Sequence, residues 1–469
     1  MSNNLDESKI IRKLGAGEAL LDYEALHGNI CQTRALLTTL SKQHDIHMSI
    51  ISKALEIWVK RHPILQSRIH RVLDERNSIL KPDLTKYFVY LDTTYYKSVN
   101  EYANVDLIET EIEDKWKQIV QEEIQTRFKD ENGPTWRMRI VKTNQKSGEL
   151  DKLVFILTNN HAINDGRNGF SIMVQFLNIL GALLENTTCE EMNGEVEHSP
   201  RSSEQLIEEY KAQVGFKTLP ADQKPYYDHM THRLSSKVAD LNGAGGKFEF
   251  ILIEHEKLDK LYKKLKQNAP ECKINPLIAI IICKVLKKLY AKYEVDDVPL
   301  DSFQFMFLTG LRDRLKVKNT QMGFFSLTMA CRIEDDLDGG DLWRVAEKFS
   351  ESFHRRLQFN EDLPEAHALS AIYSMLESGF DFGQLVSTNF VISNLGVMHN
   401  TSNGVFRINE HYVTGPSVEK RMASGLNNGI STVANNLCWC VSYNEKYFST
   451  QFIKDYKAGI LGLVDELIL

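Results

Sequence analysis

Apolar positions along the chain follow two patterns, one with a helical period near 3.6 and one that alternates or runs unbroken as strands do. Between 47 and 62, Ile50, Ile51, Ala54, Leu55, Trp58 and Val59 share one helical face. That helix is expected to stop before Pro63, because proline drives the preceding residue out of the helical region. KYFVYLD (86–92) and WRMRIVKT (136–143) read as strands, the second alternating as a half-buried strand does. DKLVFILTNN (151–160) is nearly continuous in apolar residues and predicts a strand buried on both faces. Directly after it, HAINDGRNGFSIMVQFLNILGALL (161–184) places Phe170, Met173, Val174, Leu177 and Leu180 on one face of a helix.

The text then changes. ENTTCEEMNGEVEHSPRSS (185–203) is rich in Glu, Thr, Asn and Ser and reads as a linker or surface loop. Polar character continues to about 246, through LPADQKPYYD (219–228) and LNGAGGK (241–247). Beyond it, the pattern predicts a strand at 247–254, a helix from near Glu256 and a buried helix over 275–291. Strands follow at 301–310, 322–333 and 389–396, around a helix at 341–358. NLCWCVSYN (436–444) and an amphipathic helix over 450–467 close the chain. Interspersed strands and helices without a short repeat make the class α/β with mixed sheets flanked by helices. A chain of 469 residues exceeds what one core usually organises, so two domains are expected. They are assigned to 1–185 and 247–469, with 186–246 as the linker or crossover.

Composition narrows the function. With 42% hydrophobic and 25% charged residues the chain is an ordinary globular protein, and a net charge of -7 lacks the basic field that nucleic acid requires. Seven scattered cysteines without a CxxC pair read as reduced thiols of a cytoplasmic protein. The first residues hold no apolar signal-like stretch, and the longest apolar run, 274–290, is interrupted by Pro276 and Lys284, so no membrane span is expected. His44 and His47 lack companions for a metal set, Gly15 and Gly17 follow no strand, and no GxSxG elbow occurs. No metal is expected, and a monomer is.

The most informative residues are His161, Asp165 and Gly166, an HxxxDG where a buried strand meets a helix. A histidine held in an apolar wall stays neutral near pH 7 and accepts a proton. Asp165 turns the chain, and Gly166 permits the tight backbone that starts the helix. The same letters also fit a histidine that satisfies a strand end and an aspartate that is an ordinary N-cap.

NNHAINDG resembles the signature of the chloramphenicol acetyltransferase-like superfamily, which includes alcohol acetyltransferases, plant BAHD acyltransferases and condensation domains. LGAGEALLDYEAL (14–26) and RHPILQSRI (61–69) resemble early motifs of its alcohol acetyltransferase and condensation branches. LTGLRDRL (308–315), QMGFFSLTM (321–329) and NFVISNLG (389–396) resemble second-domain landmarks, in the right order. Asp381-Phe382-Gly383-Gln384 only echoes the plant DFGWG element, and Asn160 stands where condensation domains usually carry another histidine.

The resemblance implies two similar α/β domains with an active-site tunnel at their interface and His161 as general base. It implies that Asp165 pairs with an arginine, for which Arg61, Arg68 and Arg312 are candidates. The expected reaction is direct transfer of an acyl group, acetyl in the first instance, from acetyl-CoA or another acyl-CoA to a small-molecule alcohol or amine. Ser393, Asn394, Asn160 or backbone amides near His161 are candidates to stabilise the oxyanion. Arg312, Arg314 and Lys316, with Lys318, either meet the phosphates of coenzyme A or form a solvated loop. The alternative function is a non-catalytic or carrier-dependent condensation-like binding module.

Overall fold

The computed structural model describes residues 10–27, 31–71, 87–91, 105–126, 128, 134–143, 150–198, 201–214, 239–240, 245–295, 302–334, 337, 339, 341–360, 363, 388–399, 402–414 and 424–469. The stretch 219–228, most of 241–247 and the fragment 381–384 lie outside the described residues.

The unbroken apolar run becomes the middle strand of a five-stranded sheet. Lys152–Asn160 is buried from its second residue onward and sits between Cys31–Leu40 and Trp136–Thr143, antiparallel to both. Val105–Thr110 adds in parallel at one edge, and Phe406–Val413 adds antiparallel to Cys31–Leu40 at the other. This last strand comes from the second half of the sequence, so the sheets do not divide at a single point along the chain. Helices Met48–Arg61 and Gly166–Leu184 cover one face, where the Trp58 indole donates to the Ile172 carbonyl at 2.8 Å. On the other face Trp116 of helix Lys115–Gln125 packs with Val154, Ile156, Tyr412, Cys438 and Cys440. These residues come from both sheets, so apolar packing ties the sheets together.

The second sheet has six strands in the order Ser326–Ile333, Phe303–Gly310, Thr388–Val397, Ser424–Val433, Asn436–Asn444, Gly246–Ile253. Thr388–Val397 runs parallel to both neighbours, and the outer pairs are antiparallel. The apolar faces of helices His255–Asn268, Ile274–Lys292, Leu342–Gln358 and Thr450–Ile468 pack on it over Phe305, Phe307, Phe390 and Trp439. A three-stranded sheet of Ile10–Lys13, Tyr87–Leu91 and Ser67–Arg71 completes the described strands. The whole is α/β, with two mixed sheets flanked by helices.

Several expected elements change their limits for local reasons. The helix expected from His161 starts at Gly166, because Asp165 caps it by accepting from Asn168 N at 2.9 Å. The strand expected at 322–333 begins only at Ser326, since Gly323 instead bridges to Asn164. The polar stretch 185–203 is not loop throughout: it contains helix Glu190–Asn193 and ends where helix Ser203–Val214 begins. Glu204 of that helix accepts from Gly17 N at 2.8 Å, at the start of helix Ala16–His27. No described helix is long and apolar enough to cross a membrane, and all seven cysteines are free.

Candidate active site

His161 opens a single 3-10 turn, His161–Ile163, between the buried strand and the helix. Asn160 builds that turn. Its side-chain oxygen accepts from Ala162 N at 3.0 Å, and its Nδ2 donates to Asp22 at 2.7 Å. Asn160, a candidate for the oxyanion, is buried and tied into this turn, and it is not among the residues that line the cavity at His161.

The His161 Nδ1 lies 2.8 Å from the main-chain oxygen of Asn164. A carbonyl only accepts, so Nδ1 carries the hydrogen and Nε2 is the acceptor of the neutral ring. Burial holds the ring's pKa below its ordinary value of 6.5, against the Asn164 bond and with help from the charge of Arg34. The ring meets Phe324 edge to face, with centroids 5.3 Å apart.

Asp165 does not serve this histidine. One carboxylate oxygen caps the helix, and the other receives Arg312 Nε at 2.8 Å and Phe325 N at 3.2 Å. Of the three candidate partners, Arg312 is the one that pairs with Asp165; Arg61 pairs with Glu197 at 3.3 Å, and Arg68 lies on Ser67–Arg71. Arg312 also donates to the carbonyls of Lys318 at 2.7 Å, Gln321 at 2.9 Å and Gly323 at 3.0 Å. Its reading as a cofactor contact is corrected accordingly: the buried guanidinium spends its donors tying the 318–323 turn to the histidine loop.

A cavity of about 620 Å³ opens at His161, with walls from both halves of the chain. Gln32, Gly166 and Arg167 stand on one side, and Thr328, Ser393 and Asn427 on the other. Gly166 lets the walls approach closely, since a Cβ there would lie 2.3 Å from Leu395 Cδ2 and that side chain would have to shift. Ser393 sits within strand Thr388–Val397, not in a turn, and its hydroxyl has no partner among the described residues. Asn394 also lines the cavity, but its Nδ2 donates to Asn275 at 2.5 Å and its oxygen accepts from Gly396 N at 2.9 Å. Arg314 reaches the cavity wall, whereas Lys316 is exposed and is not among the lining residues.

No protein-family model matches the chain, and no curated protein matches its sequence. Solved structures do match. The TRI3 trichothecene 15-O-acetyltransferase from Fusarium sporotrichioides superposes with a TM-score of 0.67 at 12% identity, over 98% of this chain and 95% of that one. The condensation domain of the Monacolin K polyketide synthase MokA gives 0.60 at 14% identity, over 98% of both chains. Polyketide synthase associated protein 5 from Mycobacterium tuberculosis gives 0.62 at 11% identity, over 98% of this chain and 99% of that one. The chain has the chloramphenicol acetyltransferase-like fold.

Within this chloramphenicol acetyltransferase-like architecture, two residues near His161 escaped the sequence reading. Gln32 lines the cavity, and its Oε1 accepts from Arg34 Nη2. Arg34 itself is buried beneath the histidine loop. The only sequence signal for either was the polar content of CQTRALLTTL, which obscured the strand instead of marking a site.

Proposed function

We propose that the protein is an acyltransferase that moves an acyl group from a coenzyme A thioester to a hydroxyl, or an amine, of a small molecule. The observation that carries this reading is the fixed His161 ring, neutral and with Nε2 as acceptor, at a cavity built by both halves. Nε2 takes the proton as the acceptor's oxygen or nitrogen bonds to the thioester carbon, and the carbonyl π pair moves onto oxygen. Ser393, with its unengaged hydroxyl, is the donor best placed to meet that oxyanion. The carbonyl then re-forms, the C–S bond breaks with its electron pair on sulfur, and the proton passes from Nε2 to the thiolate. Asp165 and Arg312 hold the loop, while Arg314, with Lys316 two residues on, is the candidate for the donor's phosphates.

The test is thiol release from acetyl-CoA and longer acyl-CoA donors against a panel of alcohols and amines. Release that depends on the acceptor and falls about 10²–10⁴-fold in a folded His161→Ala protein supports the reading, because a general base contributes that much. Near-normal turnover in the variant, or none in the wild type with any pair, overturns it.

A further inference from the structure

One buried charge near the base makes no direct hydrogen bond to a carboxylate. Arg34, on strand Cys31–Leu40, is 0% exposed and lies under the start of helix Gly166–Leu184. Its Nη1 donates to Asn164 Oδ1 at 3.2 Å, and its Nη2 to the Asp165 carbonyl at 3.4 Å and to Gln32 Oε1. All three acceptors are neutral, and among the described residues its Nε has none. A buried cation so placed is costly and adds little to stability, so packing does not account for it. The fold also makes room for it: a Cβ on Gly169 would fall 0.5 Å from Nη1.

The contacts of Arg34 converge on one peptide group. The unit joining Asn164 to Asp165 carries the carbonyl that receives His161 Nδ1–H. Arg34 holds the side chain on one side of that unit and the next carbonyl on the other. That carbonyl also accepts from Gly169 N at 3.0 Å, so the loop is fixed between strand and helix. We propose that Arg34 is a positioning residue for His161: it fixes the loop that sets the imidazole tautomer, and its buried charge opposes a second positive charge on the ring.

The other ionisable groups around this loop have partners of their own. Glu18 is paired with Arg12, Asp22 accepts from Asn160, Asp165 is paired with Arg312, and Arg167 faces Asp313 at 3.4 Å. His411, on the neighbouring strand, bonds through Nδ1 to Ser431 at 3.1 Å, and burial followed by the charge of Arg34 lowers it to about 3. It stays neutral near pH 7. Burial lowers Arg34 itself to about 9, still above neutrality, so it keeps its charge there. Two charges thus act on His161 in opposite senses: Arg34 opposes a positive ring, while the Asp165 carboxylate, held by Arg312, favours one.

The inference rests on His161 being the base, yet it is tested on the ring itself. In the full chain with ring-¹⁵N-labelled histidine, the His161 resonances are assigned by their loss in His161→Gln and followed through a pH titration. Arg34→Met should raise the His161 pKa by about one unit and mix its tautomers, since a like charge and a fixed loop are both removed. Arg34→Lys should keep the pKa low while loosening the tautomer, because it keeps the charge without the two-armed grip. Gly169→Ala, which displaces the guanidinium, should act in the same direction as Arg34→Met. A folded Arg34→Met with the wild-type pKa and tautomer overturns the proposal. Should that variant not fold, an unchanged tautomer in both Arg34→Lys and Gly169→Ala overturns it equally. A wild type inert in thiol release whose ring still responds to these changes would remove the acyltransferase reading and leave the role of Arg34 standing.

Discussion

Arg312 grips a single oxygen of Asp165, with Nε at 2.8 Å and Nη2 at 2.7 Å from Oδ2, and so joins the second half of the chain to the loop that carries His161. Both side chains are buried, at 2% and 6% exposure, which makes the pair sensitive to loss of one member. Asp165→Asn leaves a buried guanidinium without its counter-charge and should cost roughly 3–5 kcal/mol of stability, read by denaturant unfolding. Turnover should fall with the loop's order. Unchanged stability with abolished turnover would instead give Asp165 a direct part in the chemistry.

The pH dependence of kcat/KM follows from the direction of the His161 shift. Burial holds this ring below 6.5, and a general base works only when unprotonated. Activity should therefore be at its plateau near pH 7 and fall as pH drops through the lowered pKa, with the acid limb centred below 6.5. A limb centred above 6.5 would mean that His161 titrates as an ordinary or raised histidine and would contradict the buried, neutral ring.

The parts of this architecture that could be read from sequence are those whose burial and periodicity agree. Lys152–Asn160 was visible because an unbroken apolar run has one comfortable place, the middle of a sheet. Cys31–Leu40 was not, since Gln32, Thr33, Arg34 and Thr38 are all buried in it. Ser424–Val433 shows no apolar period, because Gly and Asn interrupt it. Yet Asn428 is buried, accepting from the Trp439 indole at 2.9 Å, and Gly429 is needed because a Cβ would meet the Val413 carbonyl at 2.3 Å. Phe406–Val413 alternates, but a register shift between Ile408 and Glu410 breaks the period. For the site, HxxxDG located the base and left three arginines open for Asp165. The choice among them depends on how the 318–323 turn folds back, which no local pattern encodes.

Ser393 and Asn394 are neighbours with different work, and substitution should separate them. Ser393→Ala removes a hydroxyl that no described residue engages, so stability should hold while kcat falls by about 10²–10³-fold with little change in KM. Asn394→Ala breaks the bonds to Asn275 and Gly396, and its first effect should be on thermal stability. Steady-state kinetics alongside thermal melts reads both, and a Ser393→Ala enzyme with wild-type kcat would remove Ser393 from the oxyanion.

Separating the halves should abolish function for a reason beyond the divided site. Residues 1–185 carry His161 but lack Phe406–Val413, the strand that covers the outer side of Cys31–Leu40. They also lose Thr414, whose amide and hydroxyl both bond the Thr33 carbonyl, at 2.8 and 3.0 Å. The strand exposed in the fragment is long and offers unpaired amides and carbonyls to any neighbour, which favours aggregation. Residues 1–185 expressed alone should therefore be largely insoluble and inactive. Co-expression with 186–469 should restore a soluble complex with thiol-releasing activity, since the missing strand, Arg312 and Ser393 all return together. Limited proteolysis within 185–203 should leave the pieces associated for the same reason. A soluble, monomeric 1–185 fragment with full activity would show that neither the borrowed strand nor the Asp165–Arg312 pair is needed to keep His161 in its working geometry.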